Sequence, residues 1–311
     1  MIINTGQRTD IPAFYSRWFM NRLREGYVMA RNPFNPHEVY RYSLHPDDVD
    51  ALFFCTKNPS PMIPFMEKLR PYRQIWHVTI TAYGKELEPF VPPVDEVITS
   101  FRKLSEIVGK ECIFWRYDPI LISPDYPLEK HIDLFTHIAD GLSGYTGFCI
   151  FSFIDLYRKT IRNFPEVRRV SHEEQYALTE KIASIGKERG ISLISCLEDP
   201  KLSQFGADTS GCLTKERVEK ALGVTLRIPA GERGEGRKGC TCLLGHDIGA
   251  YNSCPHFCRY CYANYDRREV MENRALHDAD SPLLIGHLTE EDRVIDRKGK
   301  SWIEREGNLF L

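Results

Sequence analysis

The sequence predicts an α/β fold on a parallel sheet, a full or partial (β/α) TIM-like barrel. Three observations carry this. Short, nearly continuous apolar runs recur along the chain, as strands buried on both faces require. An amphipathic segment follows most of them, and strand–helix alternation is the pattern of a parallel sheet. Polar and charged residues stand directly after the runs, where such folds keep their chemistry.

The runs are Met1–Thr5, Ala51–Cys55, Ile75–Thr81, Cys112–Arg116, Gly147–Phe153 and Ile191–Cys196. The helical segments are Ala13–Glu25, Ser60–Leu69, Pro93–Gly109, Leu128–Leu142 and His172–Gly190. Ser171 before His172-Glu173-Glu174 is a helix start, and Gly190 a helix stop. Residues 1–230 are read as one barrel-like catalytic domain. The glycine-rich, charged stretch Gly231–Gly239 is read as a linker. Residues 231–311 then form a cysteine-rich segment, with a polar tail from Asp266 expected as a surface extension or clasp over the barrel.

Composition narrows the function classes. The apolar fraction is 42%, and the formal net charge of −2 gives no global positive field for nucleic acid. No apolar run reaches the roughly 18–20 residues of a membrane-spanning helix, and the first residues lack a secretory pattern. A cytoplasmic protein is expected. Reduced thiols in that compartment suggest metal or redox chemistry, and ten cysteines are present. Cys55, Cys112 and Cys149 lie inside apolar runs and are read as small core residues.

Strand-end residues are the pocket candidates. Thr56-Lys57-Asn58-Pro59 ends the second run, Arg116-Tyr117-Asp118-Pro119 the fourth, Ser152 and Asp155 the fifth, and Cys196 and Glu198 the sixth. Charged groups after buried strands are expensive unless they face a polar cavity or pair with one another. Lys57, Arg116 and Asp118 are the catalytic candidates; Asn58, Ser152, Asp155 and Tyr260 are the cofactor-binding ones. Arg116 suits a carboxylate, because its planar fork favours bidentate recognition.

The late segment NSCPHFCRYCYAN holds Cys254, Cys258 and Cys261 in C-x3-C-x2-C. Three soft ligands on one loop suit an iron–sulfur centre and leave one iron open. Zinc with His256 or His246 as fourth ligand is the alternative. Cys196, Cys212, Cys240 and Cys242 are enough for a second site, an auxiliary [4Fe–4S] cluster or zinc.

The C-x3-C-x-aromatic-C pattern, with Tyr260 before Cys261, resembles the signature of radical S-adenosylmethionine enzymes. The resemblance implies a [4Fe–4S] cluster that chelates S-adenosylmethionine, reductive cleavage to a 5′-deoxyadenosyl radical, an unknown substrate and an external electron donor of the flavodoxin or ferredoxin type. The long motifs RTDIPAFYSRWFMNRL…RNPFN and CTC…DIGAYNSCPHFCRYCYAN resemble the family catalogued as domain of unknown function 1848. That family is distantly similar to spore photoproduct lyase, with Thr56-Lys57 and Trp115–Pro119 as the stretches to compare. In most radical enzymes of this type the cysteine loop follows the first strand; here it lies about fifty residues before the end of the sequence. A permuted barrel would reconcile the two and would place Arg8 and Asp10 beneath the cluster. Two other classes stay open: a non-catalytic iron–sulfur or zinc protein, and a nucleic-acid repair enzyme. The latter would use Phe14–Arg24 as a stacking and phosphate surface, although the spacing of Phe14, Trp18 and Leu23 equally suits a helix packed on the barrel.

Overall fold

A computed structural model describes residues 1–229, 239–297 and 299–304. The expected domain boundary at 230/231 and the expected linker, apart from Gly239, lie outside the described residues.

In chain order the elements are β1 (Ile2–Asn4), α1 (Ile11–Phe14), α2 (Ser16–Glu25), β2 (Tyr27–Asn32), β3 (Asn35–Ser43), β4 (Ala51–Thr56), α3 (Met66–Leu69), β5 (Gln74–Thr79), α4 (Val94–Val108) and β6 (Ile113–Ile120). There follow α5 (Leu128–Leu142), β7 (Phe148–Phe153), α6 (Arg158–Asn163), α7 (His172–Glu188), β8 (Ser192–Ser195), β9 (Ala207–Asp208), α8 (Lys215–Leu222), β10 (His246–Asp247), α9 (Arg267–Ala275) and β11 (Arg293–Arg297). Each of the six apolar runs overlaps a strand, and each amphipathic segment contains a helix. Local chemistry sets the ends: Ser171 and Glu174 form a reciprocal capping box on α7, and Gly26 closes α2 in the left-handed conformation.

Eight strands form one parallel sheet in the order β10-β1-β4-β5-β6-β7-β8-β9, compatible with a partial (β/α) barrel. The edge strands β9 and β10 do not pair, but the chain beside them meets where the Leu243 amide donates to the Leu213 carbonyl at 2.8 Å. One face of the sheet (Leu52, Phe54, Trp76, Trp115, Phe151) is buried against helices α2 to α5 and α7 through Trp18, Leu69, Phe101, Phe135 and Ile182. Alternate residues (Ile2, Phe53, Ile75, Phe114, Ile150, Ile194) point to the inner face, which Leu213, Val218, Leu226, Leu243 and Trp302 cover. Burial on both faces explains why the strands read as unbroken apolar runs.

A hairpin that periodicity did not flag, β2–β3, joins β11 in a second, three-stranded sheet. The tail packs against this second sheet and α2. It supplies β11, it buries Leu283, Leu284 and Trp302, and Ser281 accepts the Trp18 indole N–H at 2.9 Å. The stretch from Phe14 to Arg24 covers the end of α1 and nearly all of α2, which is packed on the fold: Trp18 and Phe19 are fully buried, and Arg22 donates to the Asp280 carbonyl. That geometry speaks against it as a stacking surface for bases. No helix among the described residues is long and apolar enough to cross a membrane.

His131 on α5 is a buried polar group whose bonding fixes its charge. Its Nε2 lies 2.7 Å from the Leu121 carbonyl, which only accepts, so Nε2 carries the proton and Nδ1 accepts from the Tyr117 hydroxyl at 2.8 Å. Burial pushes its pKa down to about 4. The unfolded imidazole takes up a proton near pH ~6.5. Between these values the unfolded chain binds more protons, and stability falls as pH drops. Urea unfolding at pH 7 and pH 5 is expected to show this loss, and His131→Gln should flatten the slope whatever it does to stability at pH 7. Equal slopes would remove His131 as its source.

Candidate functional site

The candidate residues gather toward the C-terminal ends of the parallel strands, on the strands themselves and on the loops that follow them. After β1 the chain turns through Arg8, Thr9 and Asp10. The turn is tight at Gly6, where a Cβ would stand 2.3 Å from the Cys55 carbonyl oxygen. Asp10 caps α1 by accepting from the Ala13 amide at 3.0 Å. Its second oxygen accepts from the Lys57 amide at 2.8 Å and lies 2.9 Å from His256 Nε2. One buried carboxylate thus joins the ends of β1 and β4 to the late cysteine loop. Arg8 pairs with Asp247 of β10 at 3.4 Å.

Lys57 follows β4. Its ammonium lies 2.8 Å from Glu88 and 5.6 Å from the centre of the Tyr260 ring. Glu88 also accepts from the Thr81 hydroxyl at 2.7 Å and from the Tyr260 hydroxyl. Burial alone would lower the Lys57 pKa; Glu88 and the Cys258 thiol raise it instead, so the ammonium is held charged. Asn58 beside it accepts from the Ser60 amide at 3.2 Å, shaping the turn.

On the inner face, Arg116 lies within β6, which runs past the expected strand end as far as Ile120; it pairs with Asp118, and Ser152 of β7 donates to the other oxygen of that carboxylate. Burial would lift the Asp118 carboxyl, but Arg116 and Ser152 hold it below the ordinary range. His77 of β5 lies 3.4 Å from Arg116, and burial with that cation beside it keeps the imidazole neutral. Asp155 is exposed and lines a small cavity with Glu198 and Arg169. Glu198 accepts from the Phe153 amide at 2.8 Å, and burial pushes its pKa up to about 8.

The late cysteine loop continues directly from β10, the strand beside β1. Its base closes where the Asn252 amide donates to Ala263 and Asn264 donates to the Cys254 carbonyl. Tyr15 donates to the Ser253 carbonyl at 2.6 Å, and the Arg259 amide to Leu87. Phe257, between the first two cysteines, is left-handed at φ 54°, a conformation a non-glycine residue adopts only when its surroundings over-determine it. Cys254, Cys258 and Cys261 are half-buried. Burial raises the pKa of each thiol; Cys261 raises those of both others, and Lys57 opposes the rise at Cys258 and Cys261. His256 is a poor fourth ligand, because its ring nitrogens face Asp10 and the Phe90 carbonyl; His246 is exposed and stacks on Tyr42.

The other four cysteines lie on the inner face. Cys196, Cys212 and Cys242 are in sulfur contact within an apolar layer, and Cys240 packs beside them. Among the described residues, no set of three or more His, Cys, Asp or Glu side chains is already gathered around one ion-sized point. Of the first-half cysteines, Cys149 is fully buried in the core as expected. Cys55 instead faces Arg116, Asp10, Asp118 and Lys57, with burial lifting its pKa to about 11.

Sequence patterning missed Glu88, Thr81 and His77. Nothing in ELEPF marks Glu88, which functions only through what the fold sets around it. The alternation of β5 was the one available signal for His77, a polar residue on a strand with apolar neighbours.

Asp10→Ala removes the acceptor for two amides and a histidine together. It is expected to lower stability by about 2–3 kcal/mol in urea unfolding. A change under about 0.5 kcal/mol would show that Asp10 does not tie the loop down.

The model of one protein family, described as domain of unknown function (DUF1848), matches residues 2–263. No curated protein and no solved structure matches the chain.

Proposed function

The chain belongs to the DUF1848 family, and from that premise we propose that it is an enzyme of the radical S-adenosylmethionine type, acting on a substrate yet to be identified. One observation carries the reading. The C-x3-C-x2-C loop hangs from β10, at the edge of the parallel sheet beside β1, and lies over strand ends that carry Asp10, Lys57 and Glu88. In this reading the barrel is permuted: the strand that bears the cysteine loop comes last among those of the parallel sheet but sits next to β1.

Cys254, Cys258 and Cys261 would hold a [4Fe–4S] cluster. The donor set fits, with three thiols in mutual electrostatic reach and the nearest imidazole engaged elsewhere. When bound, such a cluster supplies one electron from an external flavodoxin- or ferredoxin-type donor and an open iron for the amino and carboxylate groups of S-adenosylmethionine, whose reductive cleavage yields a 5′-deoxyadenosyl radical.

The chain's own residues prepare the site. Lys57, held charged by Glu88, offsets the negative charge that the thiols acquire when they lose their protons to metal. Tyr260 holds Glu88 in place from the loop side. Arg116 presents a guanidinium on the inner face, where a substrate or methionine carboxylate would compete with Asp118 for its fork. Ser152, Asp155 and Asn58 complete the pocket wall in this reading.

Anaerobic reconstitution with iron and sulfide, followed by dithionite and S-adenosylmethionine, is expected to give 5′-deoxyadenosine, and Cys258→Ala none. Lys57→Met should keep the cluster absorbance and lower the cleavage rate about 10–100-fold, the usual effect of losing a supporting partner. Tightly bound zinc at Cys254, Cys258 and Cys261, without iron or cleavage, would make the loop a structural metal site and end the enzyme reading.

A further inference from the structure

The inner face carries a second group of thiols that the proposed chemistry leaves unused. Cys196 follows β8, Cys212 lies between β9 and α8, and Cys240 and Cys242 lead into β10. The Cys212 sulfur is 3.8 Å from that of Cys196 and 3.3 Å from that of Cys242. Cys240, two residues before Cys242, packs against the same cluster, and the Leu213 amide points at the Cys242 sulfur at 3.2 Å. All four are free thiols. The two loops close on each other at Gly211, whose φ of 118° and lack of a Cβ let Thr241 approach. Thr241 then donates to the Ser210 carbonyl at 3.0 Å.

We infer that Cys196, Cys212, Cys240 and Cys242 form a mononuclear four-thiolate site for zinc, which fastens the two free edges of the sheet to each other. The sulfur spacing carries this. Tetrahedral zinc with bonds of about 2.3 Å sets its sulfurs about 3.8 Å apart. A [4Fe–4S] cluster places each thiolate on a different iron at a different corner, and so needs sulfurs well out of contact. Spacings of 3.3 and 3.8 Å therefore favour one ion over the auxiliary cluster that the cysteine count suggested. Three of the thiols run in a chain, Cys196–Cys212–Cys242, with Cys240 packed beside them, rather than around one centre. Binding exchanges the protons shared along that chain for the metal. The Leu213 amide is already placed to donate to one sulfur, and Arg116 faces Cys196 and Cys212 with the opposite charge. Position gives the purpose. The ligands come from the β8–β9 edge and from the approach to β10, which share no strand pairing. One ion there would staple the seam and hold in register the strand from which the late cysteine loop hangs.

The test is metal analysis of the whole chain purified under reducing conditions, before any iron is added. About one zinc per chain is expected. Cobalt(II) exchanged for it should show strong thiolate-to-cobalt charge-transfer absorption with tetrahedral d–d bands, a readout that needs no substitution and so stands if a variant fails to fold. Cys212→Ser and Cys242→Ser should each weaken zinc retention at least tenfold. A triple Ala variant of Cys254, Cys258 and Cys261 should keep it, which separates this site from the proposed catalytic cluster. The inference is overturned if reconstitution adds about four irons with matching sulfide that Cys242→Ser removes. It is equally overturned by a Cys212–Cys242 disulfide in place of metal, or by a reduced chain that binds no zinc.

Discussion

Lys57, Arg116, Arg8 and His256 each reach the rim of the parallel sheet beside a carboxylate, and the remaining architecture depends on that pairing. A charge taken out of water costs several kcal/mol unless an opposite charge and hydrogen bonds replace the lost solvent. Glu88, Asp118 and Asp247 supply the opposite charges to Lys57, Arg116 and Arg8, and Asp10 lies 2.9 Å from His256 Nε2. Two of these pairs lie within the early strand ends and their loops. The other two join the early rim to residues of β10 and the late loop, so the loop sits where the charges place it. Removing one partner leaves the other stranded, which makes the rim rigid and sensitive to substitution.

The same constraint separates two environments on the inner face. Deep in the sheet, Phe53, Phe114, Ile150 and Ile194 form an apolar layer. Two residues further along each strand, on the same face, Cys55, His77, Arg116 and Ser152 form a polar one. The quartet of thiols lies at the boundary, in contact with the apolar layer, and two of them, Cys196 and Cys212, lie within the field of Arg116. Thiols suit such a boundary because they pack as small apolar groups when protonated and bind soft metal ions when they are not. The late loop meets the same requirement from above, with half-buried thiols, a lysine held charged beside them, and an apolar shelf of Tyr83, Leu121 and Phe164 beneath Tyr260.

Much of this was legible in the chain. Strands buried on both faces must be apolar throughout, so Leu52–Phe54 and Phe148–Phe153 identify themselves. Helices packed on one face must repeat near 3.6 residues, so Phe101 and Leu104, or Phe135 and Ile138, do the same. The hairpin β2–β3 was not legible, because one of its strands, Asn35–Ser43, is largely polar and is stabilised by pairing with β11 from the far end of the chain. The tail was legible only as polar; that Trp302 and Leu284 anchor it follows from distant partners. Glu88 was invisible for the same reason.

By itself, the sequence determined the type of fold and the residues that can do chemistry. Alternation of apolar runs with amphipathic segments leaves few alternatives to a parallel sheet, and the spacing of Cys254, Cys258 and Cys261 makes one loop a candidate for metal. Tertiary structure alone decided which of these groups meet. It put β10 beside β1, hung the cysteine loop over Asp10 and Lys57, and brought Cys196, Cys212 and Cys242 into sulfur contact. The physical reason is range. Periodicity and spacing report interactions between residues a few positions apart, whereas strand order, ion pairing and sulfur spacing join residues as far apart as Asp10 and His256, and only a closed chain sets those distances.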